Sequence, residues 1–131
     1  MTILLAYKPN ALGDAALERA VEEARRHEDR LVVLNVARGD SAIEDNRLTD
    51  PQAESLEQRL SDSGIEFEIE RMVEPGDVAE DIVDAAERLE AHLIVIGLRH
   101  RSAVGKLILG SDAQRILMHA TCPVLAVKPP A

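Results

Sequence analysis

Between residues 97 and 112 the chain reads GLRHRSAVGKLILGSD. Arg99, His100, Arg101 and Lys106 bring hydrogen-bond donors and positive charge to this stretch. Gly97 closes an apolar run, LIVI, at a point where a sugar or phosphate would pass and a Cβ would obstruct it. Gly110 lets a backbone approach a phosphate, and Gly110-Ser111 opens a helix. The amides of Gly110, Ser111 and Asp112 then point out of a helix N-terminus, where the dipole favours an anion. The Ser111 hydroxyl suits a phosphate oxygen or the cap of that helix.

The charge distribution supports an anion site of limited size. The 131 residues carry a net charge of −9, which excludes a general nucleic-acid or anionic-membrane surface. From Gly97 to Lys128, however, Arg99, Arg101, Lys106, Arg115 and Lys128 face Asp112 alone, a local +4 that leaves −13 on the other residues. A basic island on an acidic chain matches a small anionic ligand; a solvated basic face is the competing reading.

Other chemistry is poorly served. Gly105-Lys106 is followed by Leu107 rather than Ser or Thr, and the first glycine of a Walker P-loop is missing. None of His27, His92, His100 and His119 pairs with another or with Cys122 at metal-ligand spacing. His27, His92 and His119 read as structural, and His100 is the histidine on the candidate loop. Cys122 reads as a small packed residue, with His119 three residues upstream but nothing to mark a dyad. No general base is placed for catalysis, so slow nucleotide hydrolysis is the most that an enzymatic reading reaches.

The elements that must position these residues follow from periodicity. TILLAY (2–7), RLVVLNVA (30–37) and HLIVIG (92–97) are continuous apolar runs, the mark of strands buried on both faces. IEFEIERMV (65–73) alternates apolar and acidic, a strand with one wet face at a sheet edge. PVLAVK (123–128) is a last strand, stopped by Pro129 and Pro130. Helices fall from Leu12 to His27, with Leu17, Ala20, Val21 and Ala24 inward, and from a Thr49 or Asp50 cap to about Ser61, with Leu56 and Leu60 inward. A third follows the Asp77 cap, with Val78, Ile82, Ala85, Ala86 and Leu89 inward. A fourth follows Gly110-Ser111, with Ala113, Ile116, Leu117 and Ala120 inward. Residues 38–50 read as a surface loop, and Gly64 stops the second helix.

Strands alternating with helices give an α/β fold, one domain over residues 1–131: an open parallel sheet with helices on both faces. Ligands bind such sheets beyond the carboxyl ends of strands, where the strand order reverses. The loops there follow Tyr7, Ala37 and Ile96. Hydrophobic residues form 46% of the chain and aromatics 2%, so the core is built from Val, Leu, Ile and Ala. The lone cysteine allows no intrachain disulfide and fits a reducing, cytoplasmic setting. The opening MTILLAYKPN has no basic leader, and its apolar run is too short for a signal peptide or a membrane span.

Gly97, the gap to Gly110-Ser111 and the helix that ends in CPVLAVK resemble the universal stress protein family, and the resemblance extends back through TILLAY. It implies a Rossmann-like five-stranded parallel sheet of order 3-2-1-4-5, and commonly a homodimer. Nucleotide-binding members carry G-x2-G-x9-G-[ST] here. The resemblance thus implies an ATP or AMP ligand held around Gly97, Gly110 and Ser111, with adenine near the backbone of Val36. Two positions depart from that pattern. His100 stands at the second glycine. Lys8 stands, after Ala6 and Tyr7, where ATP-binding members place an acidic residue that bonds ribose; an ammonium only donates. The expected site is therefore Ala6, Tyr7, Lys8, Val36, Gly97, Arg99, His100, Arg101, Gly110, Ser111 and Asp112, with no metal. Two functions follow: a cytoplasmic stress-response module that binds an adenine nucleotide or a similar phosphate compound, or a dimeric interaction protein with a remodelled pocket. The apolar edge Pro123 to Lys128 is the expected homodimer contact; nucleic acid and membrane are not expected partners.

Overall fold

The computed structural model describes residues 1–37, 46–73, 76–99 and 109–130. Its elements alternate along the chain: β1 (Thr2–Ala6), α1 (Ala11–His27), β2 (Arg30–Ala37), α2 (Asp50–Ser63), β3 (Phe67–Val73), α3 (Val78–Arg88), β4 (Ala91–Gly97), α4 (Ser111–His119) and β5 (Val124–Val127). The strands form one parallel sheet in the order β3-β2-β1-β4-β5. The chain winds from β1 outward to β3, then returns to β4 on the other side of β1. The strand order therefore reverses between β1 and β4, and a crevice opens beyond their carboxyl ends.

The strand period of two sorts the core into two layers. Ile3, Leu5, Leu31, Val33 and Val95 face α1 and α2, where Ala16, Leu17, Ala20, Ala24, Leu56 and Leu60 meet them. Leu4, Val32, Leu34, Ile94 and Ile96 face α3 and α4, packed on Val78, Ile82, Ala85, Ala86 and Ile116. The continuous apolar runs are thus buried on both faces, and each Leu, Ile or Val withdrawn from water favours folding by about 1.5–3 kcal/mol. The alternating run becomes the edge strand β3, whose Phe67, Ile69 and Met72 are half-buried and whose Glu68 and Arg71 are exposed.

Helix ends follow local chemistry. Asn10 caps α1 by accepting the Gly13 amide, and Asp77 caps α3 by accepting the Glu80 amide. Thr49 and Gln52 form a reciprocal capping box at α2, with Pro51 in the first turn. Gly64 ends α2 at φ 79°, a left-handed conformation that glycine adopts without cost. One expected core contact fails: Leu117 is 40% exposed. The α4 stripe that meets the core is narrow, with Ile116 buried and Ala113 and Ala120 packed beside it.

At the amino ends of the strands, Asp29 is buried. It accepts the N-terminal ammonium at 3.1 Å and lies 3.1 Å from Nε2 of His92, whose Nδ1 faces the Thr2 carbonyl at 2.9 Å. This pairing fastens the start of β1 to β4, on the side of the sheet opposite the crevice.

Candidate functional site

The crevice is a cleft of about 290 Å³. One wall is the turn from β1 into α1, with Ala6, Lys8, Asn10, Leu12 and Gly13; the facing wall is the start of α4, with Gly110, Ser111, Asp112 and Ala113. Ile96, Gly97, Leu98 and Arg99 come from the end of β4, and Asn46 from the segment before α2. Val78, Ile82 and Ile116 supply apolar surface, a combination that suits a ligand with one flat apolar part and one anionic part.

Seven of the expected site residues therefore meet in one place: Ala6, Lys8, Gly97, Arg99, Gly110, Ser111 and Asp112. Tyr7 and Val36 are not in the lining. Strand alternation turns Tyr7 into the core beneath α1 and α2, whereas Val36 shares the α3–α4 core layer with Val78, Ile82, Ile96 and Ile116 but is itself buried outside the lining. His100 and Arg101 lie outside the described residues, as do Gly105 and Lys106.

The three glycines of the cleft have different reasons to be there. At Gly13 a Cβ would sit 1.8 Å from the Lys8 carbonyl oxygen, and at Gly97 it would sit 2.6 Å from the Leu12 carbonyl oxygen. Gly97 is thus already required by the close approach of α1 to β4, before any ligand is considered. At Gly110 a Cβ would meet no described atom within 4 Å. Its φ of −62° and ψ of 153° are open to any residue. Among the described residues the fold gives no reason for a glycine at 110; the space in front of it belongs to the cleft.

The start of α4 also departs from expectation. Gly110, not Ser111, is the N-cap, because its extended backbone presents a carbonyl that accepts the Gln114 amide at 3.0 Å. No side chain caps the helix. The Ser111 hydroxyl makes no capping bond, and among the described residues no side chain accepts from the first amides of α4. Asp112, in the first turn, adds a carboxylate to the same rim.

Among the described residues, positive charge in the cleft comes from Lys8 and Arg99. Arg115 is committed elsewhere: its guanidinium pairs with Asp77, the residue that caps α3. It lies on a second groove, of about 250 Å³ between α3 and α4, with Glu80, Asp84 and His119. Of the described residues of the basic island, Arg99 thus lines the cleft, Arg115 lines the α3–α4 groove, and Lys128 lines neither.

Tyr7 anchors the β1 wall from beneath. Its hydroxyl donates to Oδ1 of Asp14 at 2.9 Å, and Arg59 reaches the same oxygen at 3.4 Å. Burial, and then the Asp14 carboxylate, push the phenol up to about 12. Cys122 is half-buried against the α3–α4 core layer, and burial raises its thiol above the ordinary value. Among the described residues no group of three or more His, Cys, Asp or Glu side chains is arranged to hold a metal ion, and no helix is long and apolar enough to cross a membrane.

Sequence reasoning passed over Asn10, Leu12, Gly13, Asn46, Val78 and Ile82 as cleft residues. Gly13 did leave a signal, since a glycine inside an amphipathic helical pattern marks a close approach. Asn46 left none, because its place depends on hydrogen bonds across the fold.

A parallel open sheet of order 3-2-1-4-5 with a glycine-framed crevice at its switch point defines an α/β protein of the Rossmann-like class. A profile of the universal stress protein family matches residues 1–128. The chain is 42% identical over 127 residues to a universal stress protein of Mycolicibacterium smegmatis, covering 97% of each. It is similar to a universal stress protein structure from Archaeoglobus fulgidus, with 28% identity, a TM-score of 0.74 and 97% of each chain covered. A universal stress protein from the same organism, solved in complex with dAMP, shares the fold at 23% identity and a TM-score of 0.65, over 97% of this chain and 96% of that one. This chain belongs to the universal stress protein family.

Proposed function

We propose that this protein is a stress-response module that binds an adenine nucleotide, ATP or AMP, or a similar phosphate compound, in the cleft between β1 and α4. Gly110 carries the reading. No described contact and no backbone angle requires a glycine there, yet it lines the cleft as the N-cap of α4, beside the first amides of that helix, where a side chain would take up open space. A phosphate in that space would accept from those amides and from the Ser111 hydroxyl, and would lie in the field of the helix dipole. Lys8 and Arg99 add charge to the same cleft, and His100 and Arg101 belong to the same proposed site. The apolar surface of Val78, Ile82 and Ile116 offers a bed for a base, whose far edge would reach toward the backbone near Val36. The Archaeoglobus fulgidus relative held with dAMP supports the ligand class. Lys8 cannot accept from a ribose hydroxyl; in this reading it neutralises phosphate charge.

Mass spectrometry of small molecules released by denaturing freshly purified protein tests this reading. A stoichiometric adenine nucleotide is expected. An empty protein whose melting temperature does not move with millimolar ATP or AMP would overturn it.

A second reading has its own observation. β5 is an edge strand of four half-buried apolar residues. The carbonyls of Pro123 and Val127 accept from Ile94 and Leu98 of the β4 side, so alternation points the main-chain groups of Val124 and Ala126 outward. Such an edge suits pairing with a second copy through Pro123 to Lys128. A cytoplasmic homodimer is part of the proposal, and a dimer that binds no nucleotide is its rival.

A further inference from the structure

Asn35 is 1% exposed, a polar side chain near the end of β2 among apolar neighbours. Burying an amide without partners is costly, and here every strong bond is made. Nδ2 donates to the Tyr7 carbonyl at 3.0 Å and to the Asn46 carbonyl at 2.7 Å, while Oδ1 accepts the Leu48 amide at 2.9 Å. Both amide protons are thus used. The three partners are main-chain groups from two segments distant in sequence, and both segments line the cleft. Tyr7 immediately precedes Lys8, and Asn46 lies on the rim.

The geometry points to Asn35 as the positioning residue of the ligand cleft: it holds Lys8 and Asn46 at a fixed separation without touching the ligand. The inference rests on the proposed nucleotide site. The Lys8 wall is also pinned through the main chain, by the Tyr7 amide on the Leu34 carbonyl and the Asn10 amide on the Lys8 carbonyl, each within 2.9 Å, and by the Tyr7 hydroxyl on Asp14. The Asn46–Leu48 segment is held by Asn35 and by Arg71, whose Nη1 donates to the Leu48 carbonyl at 3.3 Å and pairs with Asp50 at 2.8 Å. Among the described residues, Asn35 is the side chain that bonds to both the β1 turn and the Asn46–Leu48 segment.

The decisive variant is Asn35→Asp, nearly the same shape with different protons. As a carboxylate it keeps the bond from Leu48 but aims an oxygen at two carbonyl oxygens. As a carboxylic acid it can donate to one of them. Burial favours the protonated form. The charged side chains on the adjoining segments are Lys8, Arg47, Asp50 and Arg71, and the Tyr7 hydroxyl lies on the Asp14 side. Calorimetric titration with AMP, well below the melting temperature, should show affinity falling about tenfold or more at roughly pH 8 and recovering to within about threefold of wild type at roughly pH 5. Wild type titrated at the same two values supplies the baseline for each comparison, since the AMP phosphate changes its own charge across this range. Folded Asn35→Asp that binds AMP as wild type does at both pH values, with only its melting temperature lowered, would overturn the inference and leave Asn35 a structural brace. If wild-type protein takes up no AMP, the site reading fails together with this one. Should Asn35→Asp not fold, Asn35→Ser keeps one donor and one acceptor on a shorter stem. Weakened AMP binding at unchanged fold supports the role, and wild-type affinity overturns it.

Discussion

Asn35 and Arg71 are register partners on β2 and β3 that grip the two polar ends of one residue: the Leu48 amide donates to Asn35 Oδ1 and the Leu48 carbonyl accepts from Arg71 Nη1. Leu48 is itself buried beneath α1 and α2. The grips differ in environment. Asn35 is sealed in the core, whereas the Arg71 side chain is 40% exposed and its partner Asp50 85% exposed. Asn35→Leu should therefore cost about 1–3 kcal/mol, since it leaves buried main-chain groups unpaired. Arg71→Ala should cost no more than about 1 kcal/mol, because water replaces an exposed donor. Urea denaturation of both variants checks the order; a larger loss in Arg71→Ala would refute it.

The three cleft glycines should separate folding from binding. Gly13→Ala and Gly97→Ala drive a Cβ into main-chain oxygens, and each should lower stability by about 1–3 kcal/mol as the chain shifts to relieve the clash. Gly110→Ala meets open space and should change stability by less than about 0.5 kcal/mol. It should nevertheless weaken AMP binding, since the methyl group takes up open space on the lining of the cleft. Thermal melts combined with calorimetry read both effects. A Gly110→Ala protein that binds AMP as wild type does would remove the main support for the nucleotide site.

Tyr7 is the lone tyrosine, and the chain has no tryptophan, so its ionisation is visible by ultraviolet absorbance without interference. The folded midpoint should lie near 12, against about 10 in urea. Because the folded value is the higher one, the phenol's contribution to stability is fully present below pH about 10 and fades as pH rises through the folded value. Asp14→Asn should move the folded midpoint down, because the carboxylate both bonds to the hydroxyl and repels the phenolate. A midpoint unchanged from the unfolded protein would show that the buried Tyr7–Asp14 contact does not persist in solution.

The β5 edge should bring two copies together. Sedimentation at micromolar concentration should give a dimer. Ala126→Pro, which removes an outward-facing amide while sparing the bonds to β4, should give a monomer with the same sheet. A wild-type monomer under those conditions would contradict the proposed pairing.

The frame of the fold was legible because its signals are local. LIVI and RLVVLNVA can be stable only between two helical layers, and IEFEIERMV only with one face in water. Asp77 and Gly64 announce a helix start and a helix stop by their own backbone chemistry. What escaped is the work of contacts across the chain. Leu117 keeps the helical spacing of a core residue but stands on the exposed side of a narrow stripe. Gly97 looked like a ligand residue, yet the Leu12 carbonyl, distant in sequence, already demands it. Asn35 read as one more residue in a strand, since nothing near it in sequence shows that Tyr7, Asn46 and Leu48 converge on its amide. The basic island likewise looked uniform until Arg115 was found on Asp77.

The contrast between Gly13 and Gly97 on one side of the cleft and Gly110 on the other has an evolutionary consequence. A substitution at 13 or 97 must be answered by a shift of backbone, so those positions are closed to drift. A substitution at 110 leaves the described packing untouched and alters only the space offered to a ligand. Descendants of one ancestral chain can therefore part company in what they bind, one mutation at a time, without passing through an unfolded intermediate.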